Sequence, residues 1–417
     1  MFSDTLLASI RDRFAGVETC PVQGPRIFFE NAGGALTLKS VVETSAQYAA
    51  MPDNLGRDNP ASQALREMIA KACADMSVFM NARDGLFFVG ESGTELLFRL
   101  VMNACLATGP HGVVLGSTLE HPASRSACHR WSTVGKLDYK LIAHDNLTGV
   151  VSPQAYGEAV TSDTKVASIV HTSPVTGMGV DVKGCVEAIR NVAPDCYIVV
   201  DGIQHAAHGD IDIESYQIDG YVISPYKVFS RHGYGLAWIS DRMRQLPHDT
   251  IVGAPTEPWE LGTRDAGSYA TLSDLVEYFD WLGGEVSDSV GRRQRIEAAS
   301  AAIKAHEKTL TDAMIYGSGN LPGLKDLPGV EIIGGAESSI REGLVSFVVD
   351  GISSKQIVAD LNAAGVRTHT RMADHYSGNI LEPLGLEACV RVSLCHYNSL
   401  PEVSRFLALM KGITDRA

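Results

Sequence analysis

The chain has 417 residues, 45% hydrophobic and 20% charged, a balance that suits a soluble globular protein with one large domain and a smaller companion. Its 35 basic and 49 acidic residues leave a formal net charge of −14 without any Lys/Arg run, so nucleic acid is not an expected partner. Eight cysteines are scattered with no CxxC pair and no Cys/His cluster at zinc spacing, which predicts reduced, buried thiols, no disulfides and no metal site.

The first stretch, MFSDTLLASIRDRFAG, carries Asp4, Arg11, Asp12 and Arg13 and has no uninterrupted apolar run. It is expected to form a short amphipathic helix, not a signal peptide. No stretch reaches the ~18 consecutive apolar residues of a membrane span, so a cytoplasmic protein without membrane contact is expected.

Further along, short apolar runs alternate with helical patterns. The runs LFFVG (86–90), GVVLG (112–116), YKLIA (139–143), VASIVH (166–171), YIVVD (197–201), YVIS (221–224) and GLAWI (235–239) predict a seven-stranded, mostly parallel sheet. Between them, stretches such as TELLFRLVMNACLAT repeat apolar residues at helical spacing. From Leu272 the pattern is helical for a long stretch, with an expected interruption at Gly283-Gly284. Strands at 330–334, 344–350, 366–370 and 390–394, a helix from Ser353 to Ala364 and a last helix from Pro401 then predict a small α+β domain. The expected organisation is an N-terminal arm (1–26), a large domain (27–270), a helical connector (271–317) and a small C-terminal domain (318–417).

The segment carrying the chemistry is residues 201–240, DGIQHAAHGDIDIESYQIDGYVISPYKVFSRHGYGLAWIS. Asp201 ends an apolar strand, where open α/β sheets place ligand-binding residues. One strand later comes Ser224-Pro225-Tyr226-Lys227. A lone lysine after a strand is ordinarily a surface residue, but a strand-end aspartate followed by Ser-x-x-Lys suits a particular kind of cofactor. An electron-sink cofactor needs a lysine to form a Schiff base and a carboxylate to keep its pyridine nitrogen protonated. Upstream, Glu91-Ser92-Gly93-Thr94 joins a strand to an amphipathic helix, where free N–H groups and the helix dipole make an anion site. Serine and threonine there also suit a plain helix cap.

Together with FFENAGG (28–34) and RVSLCHYN (391–398), these segments resemble the class V aminotransferase and cysteine desulfurase group of fold-type-I pyridoxal-phosphate enzymes. The resemblance implies that Lys227 is the Schiff-base lysine and proton shuttle, and that Asp201 pairs with the pyridine nitrogen. It implies that Gln204 bonds the cofactor's phenolic oxygen and that His121, in Leu-Glu-His-Pro-Ala, stacks on the ring. Ser92, Gly93, Thr94, Ser224 and Tyr226 would cradle the phosphate, with Tyr226 standing where the family usually has histidine. Gly262 and Thr263 would reach the phosphate of a neighbouring subunit, implying a homodimer with sites at the interface. Arg391 would grip the substrate's carboxylate and Asn31 would line the substrate pocket. Arg264, Arg367, Arg371, His369 and His375 fall in segments that border the site in the family.

Two departures stand out. Met372 occupies the place of the nucleophilic cysteine of desulfurases, and neither Cys389 nor Cys395 is in register with it. Pro174 stands where desulfurases have asparagine, leaving Ser173 or Thr172 as the substitute. The expected function is a pyridoxal-phosphate enzyme acting on a small amino acid or amine, by aminotransferase or β-lyase chemistry. The alternatives are a desulfurase using another thiol, a racemase or epimerase, and a non-catalytic pyridoxal-phosphate-binding regulator. An acidic chain without a basic DNA-binding module speaks against the last.

Overall fold

The computed structural model describes residues 1–337 and 339–416. A seven-stranded sheet runs in the order Leu86–Gly90, Gly235–Ile239, Gly220–Ile223, Tyr197–Asp201, Thr164–Val170, Val113–Ser117, Asp138–Ile142. Gly235–Ile239 runs against the other six strands, which are mutually parallel. The two-residue side-chain period explains why these runs are apolar throughout: Ile198 and Val200 enter the core on one face, and Val199 the core on the other. The edge strand Asp138–Ile142 is mostly exposed, and a lysine at its centre, Lys140, blunts that edge.

On one face the helix Gly93–Ala107 lays Leu96, Leu97, Leu100 and Val101 over Phe88, Val114, Val199 and Val222. On the other face lie the long helices Pro60–Phe79 and Ala266–Val286. Local sequence sets their starts. Asn59 accepts the Ser62 N–H at 2.8 Å and Pro60 follows in the first turn. The N-terminal helix forms at Asp4–Asp12, capped by Ser3. No helix among the described residues is long and apolar enough to cross a membrane.

The expected interruption at Gly283-Gly284 is not there. The helix continues to Val286, the helical pattern stops over 287–291, and a second helix runs Arg292–Tyr316. A Cβ at Gly283 would collide with the Arg295 carbonyl oxygen, so this glycine marks the close approach of two helices. Glycine within a helix costs about 1 kcal/mol; close packing offsets it here.

The small domain is an antiparallel sheet ordered Val330–Ile332, Leu344–Val349, Ala388–Ser393, His369–Met372. The single strand expected at 366–370 is two. Val366–Arg367 pairs in parallel with Ile27–Phe28, stapling the N-terminal segment to this domain, and His369–Met372 joins the sheet. Phe347, Val390 and Val392 pack with Phe406 under the helix Leu400–Thr414. The opposite face looks toward the large sheet: Ser346 Oγ donates to the Val175 carbonyl at 2.6 Å and Arg391 Nη1 to the Pro174 carbonyl at 3.0 Å.

Candidate active site

Where the parallel strands end, a small cleft opens. Its lining includes Thr94, His121, Asp201, Gln204, Ser224 and Lys227. The ends of four different strands thus bring together side chains up to 133 positions apart in sequence.

Asp201 is 3% exposed and forms no ion pair within 4 Å among the described residues. Its Oδ1 accepts the Ile203 N–H at 3.1 Å and its Oδ2 the Ser124 hydroxyl at 3.3 Å. Burial pushes its pKa up, opposed by the Ile203 bond and by Lys227. A buried carboxylate lacking a bonded cation is suited to receive one from a ligand.

Lys227 follows Ser224-Pro225-Tyr226 in a short 3₁₀ turn, and its Nζ lies 3.5 Å from Gln204 Oε1. Burial first, then the Arg391 charge, bring its ammonium down to about 8 against the pull of Asp201. A lysine so tuned has a substantial neutral fraction near physiological pH, as a nucleophile or base requires.

His121 is the N-cap of the helix Pro122–Gly135, and its Nδ1 accepts the Ala123 N–H at 3.2 Å. Burial, followed by the charges of Lys227, Arg371 and Arg391, takes its pKa down to about 3, so the ring is neutral. Beneath it, Glu120 is a buried carboxyl the sequence reading did not single out. Its Oε1 accepts the Val170 N–H at 2.8 Å and its Oε2 the Ser168 hydroxyl at 3.1 Å, tying the His121 turn to the neighbouring strand.

At the start of the helix Gly93–Ala107, Ser92 Oγ accepts the Glu95 N–H at 3.1 Å. The cap reading of Ser92 is therefore realised, and the Gly93 and Thr94 amides are left for an anion. A Cβ on Gly93 would collide with Ser224 Oγ and Ile203 Cδ1, so only glycine lets serine and helix start meet. Tyr226 stacks on His232 with ring centroids 4.3 Å apart.

Arg391 is 3% exposed. Its Nη1 is spent on the Pro174 carbonyl, while its Nε is buried without a partner. Burial, then Arg371, lowers its pKa to about 9. Asn31 stands apart from the cleft lining. Its Nδ2 donates to the Ser393 carbonyl at 2.8 Å and its Oδ1 accepts from Tyr397, so it fastens the N-terminal segment beside the Arg391 strand. Ser173 Oγ is turned to the Thr176 amide at 3.1 Å, whereas Thr172 and Pro174 line the cleft. Thr172 in turn donates to Glu342 at 2.7 Å.

Gly262 and Thr263 are exposed in a loop beside Tyr48, Asp53 and Arg57, outside the Lys227 cleft of their own chain. Arg264 ties that loop to Glu91, with Nη1 2.5 Å from Oε1. Arg367 turns away to Gln23 at 2.6 Å, and His375 is exposed. Met372 lies in a strand opposite Ala388, and Cys389 and Cys395 are buried.

Residues 27–406 match the family described as Aminotransferase class-V. The chain belongs to the class V aminotransferase family. Its enzymes depend on pyridoxal phosphate. The chain is 24% identical over 429 residues to the aminotransferase-like protein FGM3 of Gibberella zeae, covering 98% of each. It is 26% identical to the nonribosomal peptide synthetase-like enzyme fsqF of Aspergillus fumigatus, of which it spans only 26%. The fold of a cysteine desulfurase from Thermococcus onnurineus superposes with a TM-score of 0.81 at 20% identity, over 94% of this chain and 95% of that one.

The residues of this class V member fit the cofactor. The Asp201 carboxylate, with no cation bonded to it among the described residues, suits a pyridinium, the open amides of Gly93 and Thr94 with Ser224 suit a phosphate, and Lys227 suits an aldehyde. Among the described residues one group, His208, Glu307 and Cys395, lies close enough to share a metal ion, with ligand atoms within 4.8 Å of one another. His208 Nδ1 is already bonded to Glu307 Oε2, and an ion there would displace that bond.

Proposed function

We propose that this class V protein is a homodimeric aminotransferase or β-lyase acting on a small α-amino acid, and not a desulfurase. The carrying observation is a cleft lined by Lys227 and Asp201, with Arg391 bonded to its Pro174 wall; the reading is supported by Met372, a thioether, standing where the family resemblance puts the desulfurase cysteine. Pyridoxal phosphate, when bound, supplies a cationic ring that absorbs the electron pair left at the substrate's α-carbon.

The chain's own groups do the rest. Asp201 would keep a proton on the ring nitrogen, and Gln204 would bond the phenolic oxygen. His121, neutral and held by its own cap bond, would stack on the ring. The Gly93 and Thr94 amides, Ser224 and Tyr226 would bind the phosphate, with Gly262 and Thr263 of the second subunit completing it. Arg391 anchors the substrate carboxylate, so that the α-hydrogen faces Lys227, whose amine takes and returns it.

Purified protein incubated with single amino acids, with and without a keto-acid acceptor, tests the reading. Amino-group transfer, or release of ammonia with a keto acid, is the expected result. Stoichiometric alanine from cysteine, with its sulfur released as sulfide by an added thiol reductant, would overturn it, as would Lys227→Ala protein with full activity.

A further inference from the structure

Arg391 has a cationic neighbour that a single substrate carboxylate does not use up. The strands His369–Met372 and Ala388–Ser393 are antiparallel, with His369 opposite Arg391 and Arg371 opposite Cys389. Alternation therefore places His369, Arg371, Cys389 and Arg391 on one face, while Val390 and Val392 enter the small-domain core. Arg371 and Arg391 are diagonal neighbours on that face, about 7–8 Å apart at the backbone, within reach of two long side chains. This is the face that touches Pro174 at the cleft.

Neither guanidinium has a carboxylate within 4 Å among the described residues. Arg371 spends Nε on Ser377 Oγ at 2.9 Å and lies 5.7 Å from the Tyr376 ring centroid. Arg391 bonds only a carbonyl and keeps a buried, unpartnered Nε. Glu30 on the N-terminal segment lies 3.4 Å from His369 Nδ1 and acts on Arg391 only at longer range, with no ion pair within 4 Å. Two mostly buried cations side by side destabilise each other unless an anion joins them. The phosphate end does not need them, because the helix start at Gly93 and the Ser224 hydroxyl supply its donors and neither arginine bonds to that cradle. The His121, His369 and Lys227 pKa values all move down, first through burial and then with these arginines among the causes. The cleft is short of negative charge.

We infer that the substrate is an α-amino acid bearing a second acidic group on its side chain. Arg391 takes the α-carboxylate and Arg371 the side-chain anion. The inference rests on the pyridoxal-phosphate reading above. Arg371 is then a specificity-determining residue.

The test is titration of the cofactor-loaded protein with aspartate, glutamate, cysteine sulfinate and alanine, followed by the visible spectrum. Calorimetry with succinate and propionate, which lack the amino group, reads the arginine pair without any chemistry. At least one acidic amino acid is expected to half-saturate at a concentration about tenfold or more below alanine, and succinate to bind where propionate does not. Arg371→Gln should collapse both ratios toward one, and Arg371→Lys should restore part of each. Equal affinities for acidic and neutral amino acids, or unchanged ratios in Arg371→Gln, overturn the inference. A protein that takes up no chromophore at Lys227 fails the cofactor reading instead, so the two failures are told apart.

Discussion

His208 Nδ1 lies 2.8 Å from Glu307 Oε2, and both side chains are buried. Glu307 belongs to the helix Arg292–Tyr316, so the connector reaches the active site through this contact. The Glu307 carboxylate faces a proton on Nδ1 and raises the His208 pKa against burial, while His208 Nε2 lies 3.4 Å from Gln204 Nε2. The other end of Gln204 faces Lys227. Glu307 and His208 are thus positioning residues for Gln204. Glu307→Gln should destabilise the fold by ~1–3 kcal/mol in urea unfolding. It should also shift the pH at which the bound cofactor's visible band titrates. A variant that loses stability while its band titrates as in wild type would show a role in packing alone.

Gly93 sets the distance between the phosphate amides and Ser224. Gly93→Ala is expected to weaken cofactor binding about tenfold or more, read by titrating the cofactor-free protein. Replacing Ser224 by glycine in the same chain removes one of the two obstructing groups but also a donor, so the double variant should stay weak. Wild-type affinity in Gly93→Ala would show that the helix start does not hold the phosphate.

The depressed pKa of Lys227 has a kinetic consequence. An amine attacks an aldehyde only when neutral, so cofactor uptake by cofactor-free protein should accelerate with rising pH and level off above about 8. A lysine at its ordinary value near 10.4 would still be accelerating at about pH 9.5. Stopped-flow absorbance over that range decides between them. Lys227→Ala should show no such band.

Thr263 lies outside its own chain's cleft, as a residue serving a second subunit would. Mixed dimers of Thr263→Ala and Lys227→Ala chains should recover activity, since one site then carries both lesions and the other none. No recovery, with subunit exchange shown by mass spectrometry, would place Thr263 outside the neighbour's site.

Features decided by local pattern were legible in the sequence. YIVVD and GLAWI match their strands residue for residue, because turn residues bound short runs that are buried on both faces. Ser224-x-x-Lys227 and Asp201 meet because consecutive parallel strands carry them to one edge. Features decided by contacts distant in sequence were not. Gly283 has the composition of a breaker, and only Arg295 of the next helix shows it to be a packing site. Thr172 and Ser173 are chemically alike, and the turn over 173–176 alone decides which one is free to line the cleft. Glu307 is 99 positions from His208, in a helical stretch whose pattern signals only packing.

Desulfuration tests the whole site assignment, since it requires a deprotonated, accessible thiol on a segment that reaches the cofactor. Met372 is no thiol. Burial takes the Cys389 thiol up to about 11, and raises Cys395 well beyond the ordinary range. Of the eight cysteines only Cys20 and Cys73 are not buried. Cys73 is pushed up to about 11, chiefly by burial. Cys20 is different: the Gln23 and Val22 amides lower its pKa, and Arg367 Nη2 lies 3.8 Å from its sulfur. Sulfide released from cysteine should therefore appear with pyruvate and ammonia, the products of β-elimination, and without matching alanine. Quantifying alanine against pyruvate after incubation with cysteine measures the partition. With a thiol reductant present, alanine equal to sulfide, lost in Cys20→Ser, would mean that Cys20 delivers the thiolate that Met372 cannot supply.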